Sequence, residues 1–175
     1  MKLEIGPREH PMGKSWTCLD VKRRPGVTHI GQWGAGPLPF RANTFDLIYA
    51  SHVLEHIPWY NTVKALEETL RVLKLGGVLE VWVPDLGVII SAYQQRRCGD
   101  NWRRYNQEGD FMSWVNGRLF AYGSPENWHR AMFDAESLTQ VFQRAGFIDI
   151  ALLTTPRGYD HGVINLGLMG RKHRR

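Results

Sequence analysis

Apolar residues along this chain fall into short runs that alternate with longer segments of helical periodicity. Short apolar runs bounded by turn residues predict strands at residues 2–6, 16–21, 27–32, 45–50, 77–83, 147–154 and 162–169. Apolar positions three or four residues apart predict helices at residues 61–75, 85–98 and 134–145, with shorter helices between 100 and 122. This alternation predicts an α/β fold with a mostly parallel sheet.

Two of the predicted helices have clear ends in the sequence. Asn61 is the expected N-cap of the first helix, and Gly76-Gly77 is its expected stop. Asp134 is the expected N-cap of the last helix, and Gly146 is expected to end it. Each of these helices carries an apolar stripe that is expected to pack on the sheet.

The stretch from residue 38 to residue 56 is the most informative part of the chain. Phe45 begins a nearly continuous apolar run that stops at Ser51, and a helical pattern follows almost at once. Such a run is typical of a strand buried on both faces of a parallel sheet. Because open α/β sheets bind ligands beyond the carboxyl ends of their strands, residues 51–56 are expected to border an active site.

The same stretch resembles the post-strand motif of class I S-adenosylmethionine (SAM) dependent methyltransferases, in which Leu-Pro-Phe precedes Phe-Asp-Leu-Ile and then Leu-Glu-His. Residues 70–79 resemble that family's helix, Gly-Gly turn and fifth strand, and residues 129–147 resemble its last helix. Compact members often linked with surface polysaccharide pathways are the most similar. The resemblance implies a Rossmann-like three-layer sandwich, with a mostly parallel seven-stranded sheet. Its last strand, 162–169, would run antiparallel beside residues 77–83.

Composition and charge fit one globular domain, expected to span residues 1–170 and to be followed by a basic tail at 171–175. The net charge is +5, and the tail supplies four of the positive charges, which argues against an extended nucleic-acid surface. Acidic Glu4 lies near the start and no apolar stretch of 18 residues exists, so neither a secretion signal nor a membrane span is expected. We expect a cytoplasmic monomer or homodimer.

The resemblance implies SAM as the cofactor and assigns it binding residues. Glu4 and Gly6 would meet the methionine part, and Asp20, at the end of the second strand, would accept hydrogen bonds from the ribose hydroxyls. An aspartate at this position is also a common turn residue. The adenine contact is expected just after the third strand, and a further methionine contact just after the fourth. These positions hold Gln32, Trp33 and Gly34, and Ser51 and His52.

The first loop departs from the family's pattern. The family has Gly-x-Gly-x-Gly there, whereas this chain has Gly6-Pro7-Arg8-Glu9-His10. Arg8 stands at the second glycine position, where it would either pair with the cofactor's carboxylate or obstruct the pocket. This departure leaves open a non-catalytic binding or assembly module with the same fold.

A second departure concerns the substrate lid. The first strand begins at residue 2, so any lid is expected to come from residues 86–133, which are rich in Trp, Tyr and Arg. Aromatic faces and guanidinium groups suit a sugar, a nucleotide or an anionic group. The alternative is that these side chains cover a sheet edge or form a dimer contact.

Methyl transfer to a hydroxyl requires alignment of the acceptor and removal of a proton. Candidate bases are His129, Asp85 and His56, with His129 preferred because an ordinary histidine pKa suits a base near neutrality. The sequence therefore predicts a SAM-dependent methyltransferase acting on a small molecule, such as a saccharide or its precursor.

One motif suggests a different class of protein. His52-x-x-Glu55-His56 fits the inverted zincin signature, in which two histidines on one helix bind zinc and the glutamate acts as base. No third ligand follows at helical distance, so no metal site is expected. A zinc hydrolase is the minor alternative.

Overall fold

The structure is a computed structural model, and it describes residues 1–97, 110–121 and 123–174. The described residues form a seven-stranded sheet with strand order β3-β2-β1-β4-β5-β7-β6. The strands are β1 Lys2–Ile5, β2 Trp16–Asp20, β3 His29–Ile30, β4 Phe45–Ser51, β5 Leu73–Pro84, β6 Ile148–Leu153 and β7 Asn165–Arg171. Strands β1 to β5 run parallel to one another, and β7 is antiparallel to both β5 and β6. The predicted Rossmann-like fold and its antiparallel last strand are confirmed.

The helices of the described residues are α1 Thr62–Val72, α2 Leu86–Gln95, α3 Phe111–Phe120 and α4 Ala135–Ala145. Short 3-10 helices span Leu54–His56, Trp59–Asn61 and Pro125–Asn127. Helices α1 and α4 pack against each other, and their apolar faces join the main core, in which Leu66 and Phe142 lie with strand residues such as Ile48 and Val81. None of the described helices combines the length and the apolar character that crossing a bilayer requires.

The other face of the sheet carries a smaller core. Trp16, Cys18, Tyr49 and Trp82 are buried there, with Met12 packed against them. The connection from β1 to β2 supplies this cover as a loop, because residues 6–15 are too few for a crossover helix. The loop that closes this face therefore also lies beside the ends of β1 and β2.

The first predicted helix is shorter than expected at its C-terminus. Helix α1 ends at Val72, Leu73 is already extended, and Gly76, with φ +76°, lies inside β5 rather than stopping a helix. Leu73 pairs with Phe45 of β4, so sheet pairing takes over before the glycines are reached. Asn61 occupies the N-cap position, but its side chain makes no capping hydrogen bond.

The last predicted helix is as expected. The Asp134 carboxylate accepts a hydrogen bond from the Ser137 backbone N–H at 2.8 Å, and the Ser137 hydroxyl accepts from the Asp134 N–H at 3.0 Å. Gly146 ends α4 in the left-handed conformation, with φ +96°. These caps place residues 129–134, which precede α4, against the end of β5, where the Leu86 N–H donates to the Phe133 carbonyl.

Candidate functional site

A cavity of about 400 Å³ opens beyond the carboxyl ends of β1, β2 and β4. The sheet places it there because the parallel strands end together at this edge. Six of the predicted cofactor-binding residues line it: Glu4, Gly6, Arg8, Asp20, Ser51 and His52.

Two buried carboxylates face this cavity from adjacent strands. Asp20 accepts backbone hydrogen bonds from Lys22 at 2.9 Å and from Arg8 at 3.2 Å. Glu4 accepts one from Met12 at 2.8 Å, and burial raises the pKa of the Glu4 carboxyl in spite of this bond. Glu4 Oε2 also accepts from the Cys18 thiol at 3.6 Å, so each Asp20 oxygen and the other Glu4 oxygen are the acceptors left for a ligand's donors.

The first loop keeps a glycine-like backbone although it has lost two glycines. Gly6 has φ +68°, and a Cβ there would lie 2.5 Å from the Val53 Cγ2 atom, so only glycine fits. Arg8 also has a left-handed backbone, with φ +50°. The arginine therefore adopts the conformation for which the family uses glycine, and the loop's path beside the cavity is maintained.

The Arg8 side chain lies at the boundary of this first cavity. Its Nη2 atom donates to the Asn127 Oδ1 atom at 3.3 Å and lies 3.4 Å from the His56 Nε2 atom. The guanidinium group is thus held at the rim by residues from two other segments.

Ser51 contributes a polar atom without a fixed partner. Its buried Oγ atom makes no hydrogen bond of ordinary geometry with the residues that the structure describes. A buried hydroxyl of this kind suits a ligand's polar group. With the two carboxylates and the Gly6 turn, the cavity presents the kind of acceptors that the ribose hydroxyls and the methionine amino group of SAM require.

Residues from late loops, which the sequence interpretation missed, also line the first cavity. His10 stacks on Tyr159 with ring centroids 5.0 Å apart, and Lys22 forms a 2.6 Å ion pair with Glu126 across the rim. His161 stacks on His52 at 3.8 Å. These partners are far apart in the sequence, and no local pattern marks them.

The predicted adenine contacts are not brought to this cavity. Trp33 is 3% exposed, and its indole N–H donates to the Ala65 carbonyl and the Thr69 hydroxyl, both at 3.0 Å. The Trp33 side chain is therefore a core residue over α1, because its N–H finds partners there. Gly34 packs on Ile57, and Gln32 is exposed outside the cavity lining.

A second cavity of about 240 Å³ adjoins the first. Four residues line both cavities: Arg8, His52, Asn127 and His161. The second cavity is further lined by Glu55, His56, His129 and Arg118. Two of the three predicted bases, His129 and His56, therefore lie together beside the first cavity.

Glu55 is the most buried charged group of the second cavity, with 1% of its surface exposed. Neither carboxylate oxygen has a hydrogen-bond partner among the described residues. The nearest nitrogens are His52 Nδ1 at 3.4 Å and His129 Nε2 at 3.9 Å from Oε1. Burial alone would raise the pKa of Glu55, but the contact with His52 and the charges of the three histidines lower it to about 2.

The two histidines beside Glu55 are held by backbone carbonyls. His129 Nδ1 lies 3.0 Å from the Arg118 carbonyl oxygen, and His56 Nδ1 lies 3.3 Å from that of Trp128. Burial lowers the pKa of His129, and the charge of Glu55 only partly opposes this effect. Glu55, His56 and His129 each offer one atom that could bind a metal ion, and these three atoms all lie within 4.8 Å of one another.

Asp85 is positioned for structure rather than for chemistry. Its Oδ1 atom caps α2 by accepting from the Gly87 N–H at 2.8 Å and the Val88 N–H at 3.4 Å, and it lines neither cavity. The predicted role of Asp85 as a base is therefore not supported, because its carboxylate is occupied by the start of a helix.

The inverted zincin geometry is wrong for this chain. His52 ends the turn after β4 with φ +54°, whereas Glu55 and His56 lie in the 3-10 helix Leu54–His56, so the two histidines do not share a helix. The prediction that no metal binds rested on the lack of a third ligand-type residue nearby in the sequence. The fold brings such a side chain, His129, from the segment before α4 to Glu55 and His56.

The expected lid region is described only in part. Arg96 lies over the rings of Tyr93 and Phe111 at 5.3 and 5.1 Å, and Arg118 over that of Trp114 at 5.7 Å. Among these residues the arginines and aromatics pack on one another, and their role in binding an acceptor stays a prediction. The predicted lid residues Trp102, Arg103, Arg104, Tyr105 and Tyr122 lie outside the described residues.

Comparison with known proteins identifies one family and several solved structures with the same fold. Residues 14–152 match the model of a family described as a methyltransferase domain. A stretch of 54 residues is 52% identical to the uncharacterized protein MJ0638 of Methanocaldococcus jannaschii, and it covers 31% of this chain and 23% of that protein. The match thus spans less than a quarter of that relative.

Three solved structures illustrate the likeness of fold. A SAM-dependent methyltransferase of Thermotoga maritima, a possible histamine N-methyltransferase, superposes with a TM-score of 0.58 at 19% identity, over 98% of this chain and 81% of that one. A SAM-dependent methyltransferase from Archaeoglobus fulgidus superposes with a TM-score of 0.59 at 12% identity, over 98% of this chain and 85% of that one. Human N-acetylserotonin methyltransferase in complex with SAM superposes with a TM-score of 0.58 at 17% identity, over 98% of this chain and 47% of that one.

Proposed function

Because the chain belongs to the methyltransferase domain family, we propose that it transfers the methyl group of SAM to a hydroxyl of a small molecule, such as a saccharide or its precursor. The observation that carries this proposal is the pair of adjoining cavities. One presents oriented carboxylates at the ends of β1 and β2, and the other presents a histidine and glutamate cluster.

The cofactor belongs in the first cavity. Asp20 would accept the ribose hydroxyls, and Glu4, Gly6 and Ser51 would meet the methionine part. SAM supplies an electrophilic methyl group on a positively charged sulfur. The tasks left to the protein are to align the acceptor with that methyl group and to remove the hydroxyl proton.

The acceptor belongs in the second cavity. Eight of its twelve lining residues are polar or charged, among them four histidines and Arg118, and these groups suit the hydroxyls of an acceptor. The size of about 240 Å³ suits a monosaccharide-sized group rather than a polymer segment. His56 and His129 are the candidates for activating the hydroxyl.

Calorimetry and an activity assay test the proposal together. We expect SAM and its demethylated product S-adenosylhomocysteine to bind one per chain. We expect labelled methyl transfer to a member of a panel of monosaccharides and nucleotide sugars. Transfer only to amines, or to protein substrates, would contradict the acceptor class. Failure of both cofactor forms to bind would contradict the proposed function as a whole.

A non-catalytic module with the same fold is the second candidate. The observation that favours it is the position of Arg8, whose guanidinium group lies between the two cavities, 3.4 Å from His56. A side chain fixed there would separate cofactor from acceptor. Binding of the cofactor without methyl transfer to any tested class would support this module.

A further inference from the structure

Three ligand-type side chains meet at the wall of the second cavity. Glu55 and His56 come from the 3-10 helix after β4, and His129 comes from the segment before α4. Their ligand atoms lie within 4.8 Å of one another. Two ligand atoms at about 2 Å from one ion are at most about 4 Å apart, so a small side-chain rotation would bring the three atoms to bonding distance of a single ion.

The hydrogen bonds of the two histidines determine which ring nitrogens carry protons, and they leave several lone pairs without a donor between Glu55, His56 and His129. A carbonyl oxygen only accepts, so His129 must carry its proton on Nδ1 to bond Arg118, and His56 must do the same to bond Trp128. The Nε2 atoms of both neutral rings then carry lone pairs. The carboxylate of Glu55, which has no donor among the described residues, supplies further lone pairs to the same place.

His52 reinforces this reading. The Asn165 amide donates through Nδ2 to Asp160 at 2.6 Å, so its Oδ1 atom faces His52 Nε2 at 2.8 Å and takes the proton of that ring. In the neutral ring the remaining nitrogen, Nδ1, turns a lone pair toward Glu55 Oε1 at 3.4 Å, whereas a second proton on Nδ1 gives the charged contact that lowers the pKa of Glu55. One extra proton would satisfy one pair of these atoms, whereas a cation accepts lone pairs from several at once.

We propose that Glu55, His56 and His129 bind one divalent transition-metal cation at the wall of the second cavity. Two imidazoles and one carboxylate suit Zn²⁺, Mn²⁺, Co²⁺ or Fe²⁺ rather than Mg²⁺ or Ca²⁺, which prefer oxygen ligands. The carbonyl bonds at Nδ1 orient both rings in the way typical of metal-bound histidines. The cavity leaves coordination positions open to a small molecule.

The site also gives the acceptor hydroxyl a place, and this part rests on the proposed methyltransferase function. A hydroxyl bound to the cation becomes more acidic and loses its proton to water in the cavity. The oxygen then bonds to the methyl carbon, the carbon–sulfur bond breaks, and its electron pair returns to sulfur, which becomes a neutral thioether. The substrate class is therefore a polyol or another molecule with a chelating hydroxyl.

Arg8 is the group that a cation would displace. Its Nη2 atom lies 3.4 Å from His56 Nε2, the atom that the metal would take. The Arg8 guanidinium and a metal ion would compete for that lone pair, so we expect Arg8→Asn to tighten metal binding. Asparagine is chosen because it tolerates the left-handed backbone.

Direct metal titration of the full chain tests the site. After treatment with a chelator, Co²⁺ and Zn²⁺ are titrated by calorimetry, with the visible absorption of Co²⁺ as a second readout. We expect one ion per chain, and we expect His56→Ala and His129→Ala to weaken binding by at least about tenfold. His29→Ala is the matched control, because His29 is an exposed histidine on β3 and should leave binding unchanged.

Absence of stoichiometric binding would overturn the proposal, as would equal binding by the parent and both cavity variants. In that event a proton shared between a histidine and Glu55 would take the place of the cation. His56 is only partly buried, so its variant should fold even if the other does not. Calorimetry with S-adenosylhomocysteine on the same samples separates the two proposals. Cofactor binding without metal would contradict only the metal site, and metal without cofactor would contradict only the enzyme.

Discussion

At the scale of single residues, Asp20 is the clearest test of the cofactor cavity. The carboxylate is 5% exposed and oriented by two backbone N–H groups. We expect Asp20→Ala to weaken SAM binding by about 1.5 to 3 kcal/mol, the scale of charge-assisted hydrogen bonds. Calorimetry gives the dissociation constants. Glu67→Ala, on the exposed side of α1, is the control. An unchanged constant in a folded Asp20 variant would remove this residue from the site.

Arg8 tests whether the altered loop still serves the cofactor. If its charge pairs with the cofactor's carboxylate, Arg8→Gly should weaken SAM binding although glycine relieves the left-handed backbone at φ +50°. The same variant should raise the free energy of unfolding, or leave it unchanged. We expect weaker binding, measured by calorimetry, together with a denaturant midpoint no lower than that of the parent.

A second substitution at this position separates charge from backbone. Arg8→Asn keeps a residue that tolerates the left-handed region but removes the charge. Weakening equal to that of Arg8→Gly would assign the effect to the guanidinium. Tighter SAM binding in Arg8→Gly than in the parent would instead favour the non-catalytic module, because it would mean that the arginine obstructs the cavity.

At the scale of elements, the N-cap of α4 fixes the approach of His129 to Glu55. The hydrogen bonds from Ser137 lower the pKa of Asp134. A carboxyl with a lowered pKa stabilises the fold above its ordinary pKa, and this contribution is lost as the pH falls through the lowered value. We expect Asp134→Ala to cost about 1 kcal/mol at neutral pH, measured by denaturant unfolding, and the difference from the parent to shrink on acidification. A constant difference down to pH 2 would contradict the role of the charge.

The elements also show which inferences the sequence could support. The alternation of patterns predicted the seven strands, because each strand is a local run of apolar residues. The antiparallel direction of β7 was predicted from the family resemblance. The predicted C-terminal end of α1 was wrong, because pairing of Leu73 with Phe45 of β4 overrides the local helical pattern. The two glycines at residues 76–77 predict a helix stop, but in the structure they lie within β5, where the pairing with β4 is irregular.

The residues of the candidate site likewise include some that the sequence could place and others that it could not. Asp20 and Gly6 could be placed because the family resemblance assigns these positions, and the structure puts them at the ends of β2 and β1, which lie at one edge of the sheet. Trp33 could not, because the partners of its N–H lie on α1, more than 30 residues later. Likewise, the meeting of Glu55 with His129 depends on backbone bonds from Arg130 and Ala131 to the Glu55 carbonyl, which no local pattern announces.

At the scale of the whole molecule, cofactor binding should stabilise the domain, because the first cavity joins the loop after β1, the end of β2 and the late loop at residues 159–161. At a concentration of about 100 times the dissociation constant, S-adenosylhomocysteine should add about 2.7 kcal/mol to the free energy of unfolding. Denaturant unfolding with and without the ligand measures this. Stabilisation retained at the same ligand concentration in Asp20→Ala would place the binding elsewhere.

The position of β7 bears on how the chain is completed during synthesis. In the sheet, β7 lies between β5 and β6, yet it follows both in the sequence. Strand β6 is therefore made before the strand with which it pairs, and its hydrogen-bonding edge stays open until residues 165–171 leave the ribosome. Unpaired edges invite association with other chains. A chain released after residue 164 should consequently aggregate more readily than one that includes residues 165–171, which light scattering of the two chains measures.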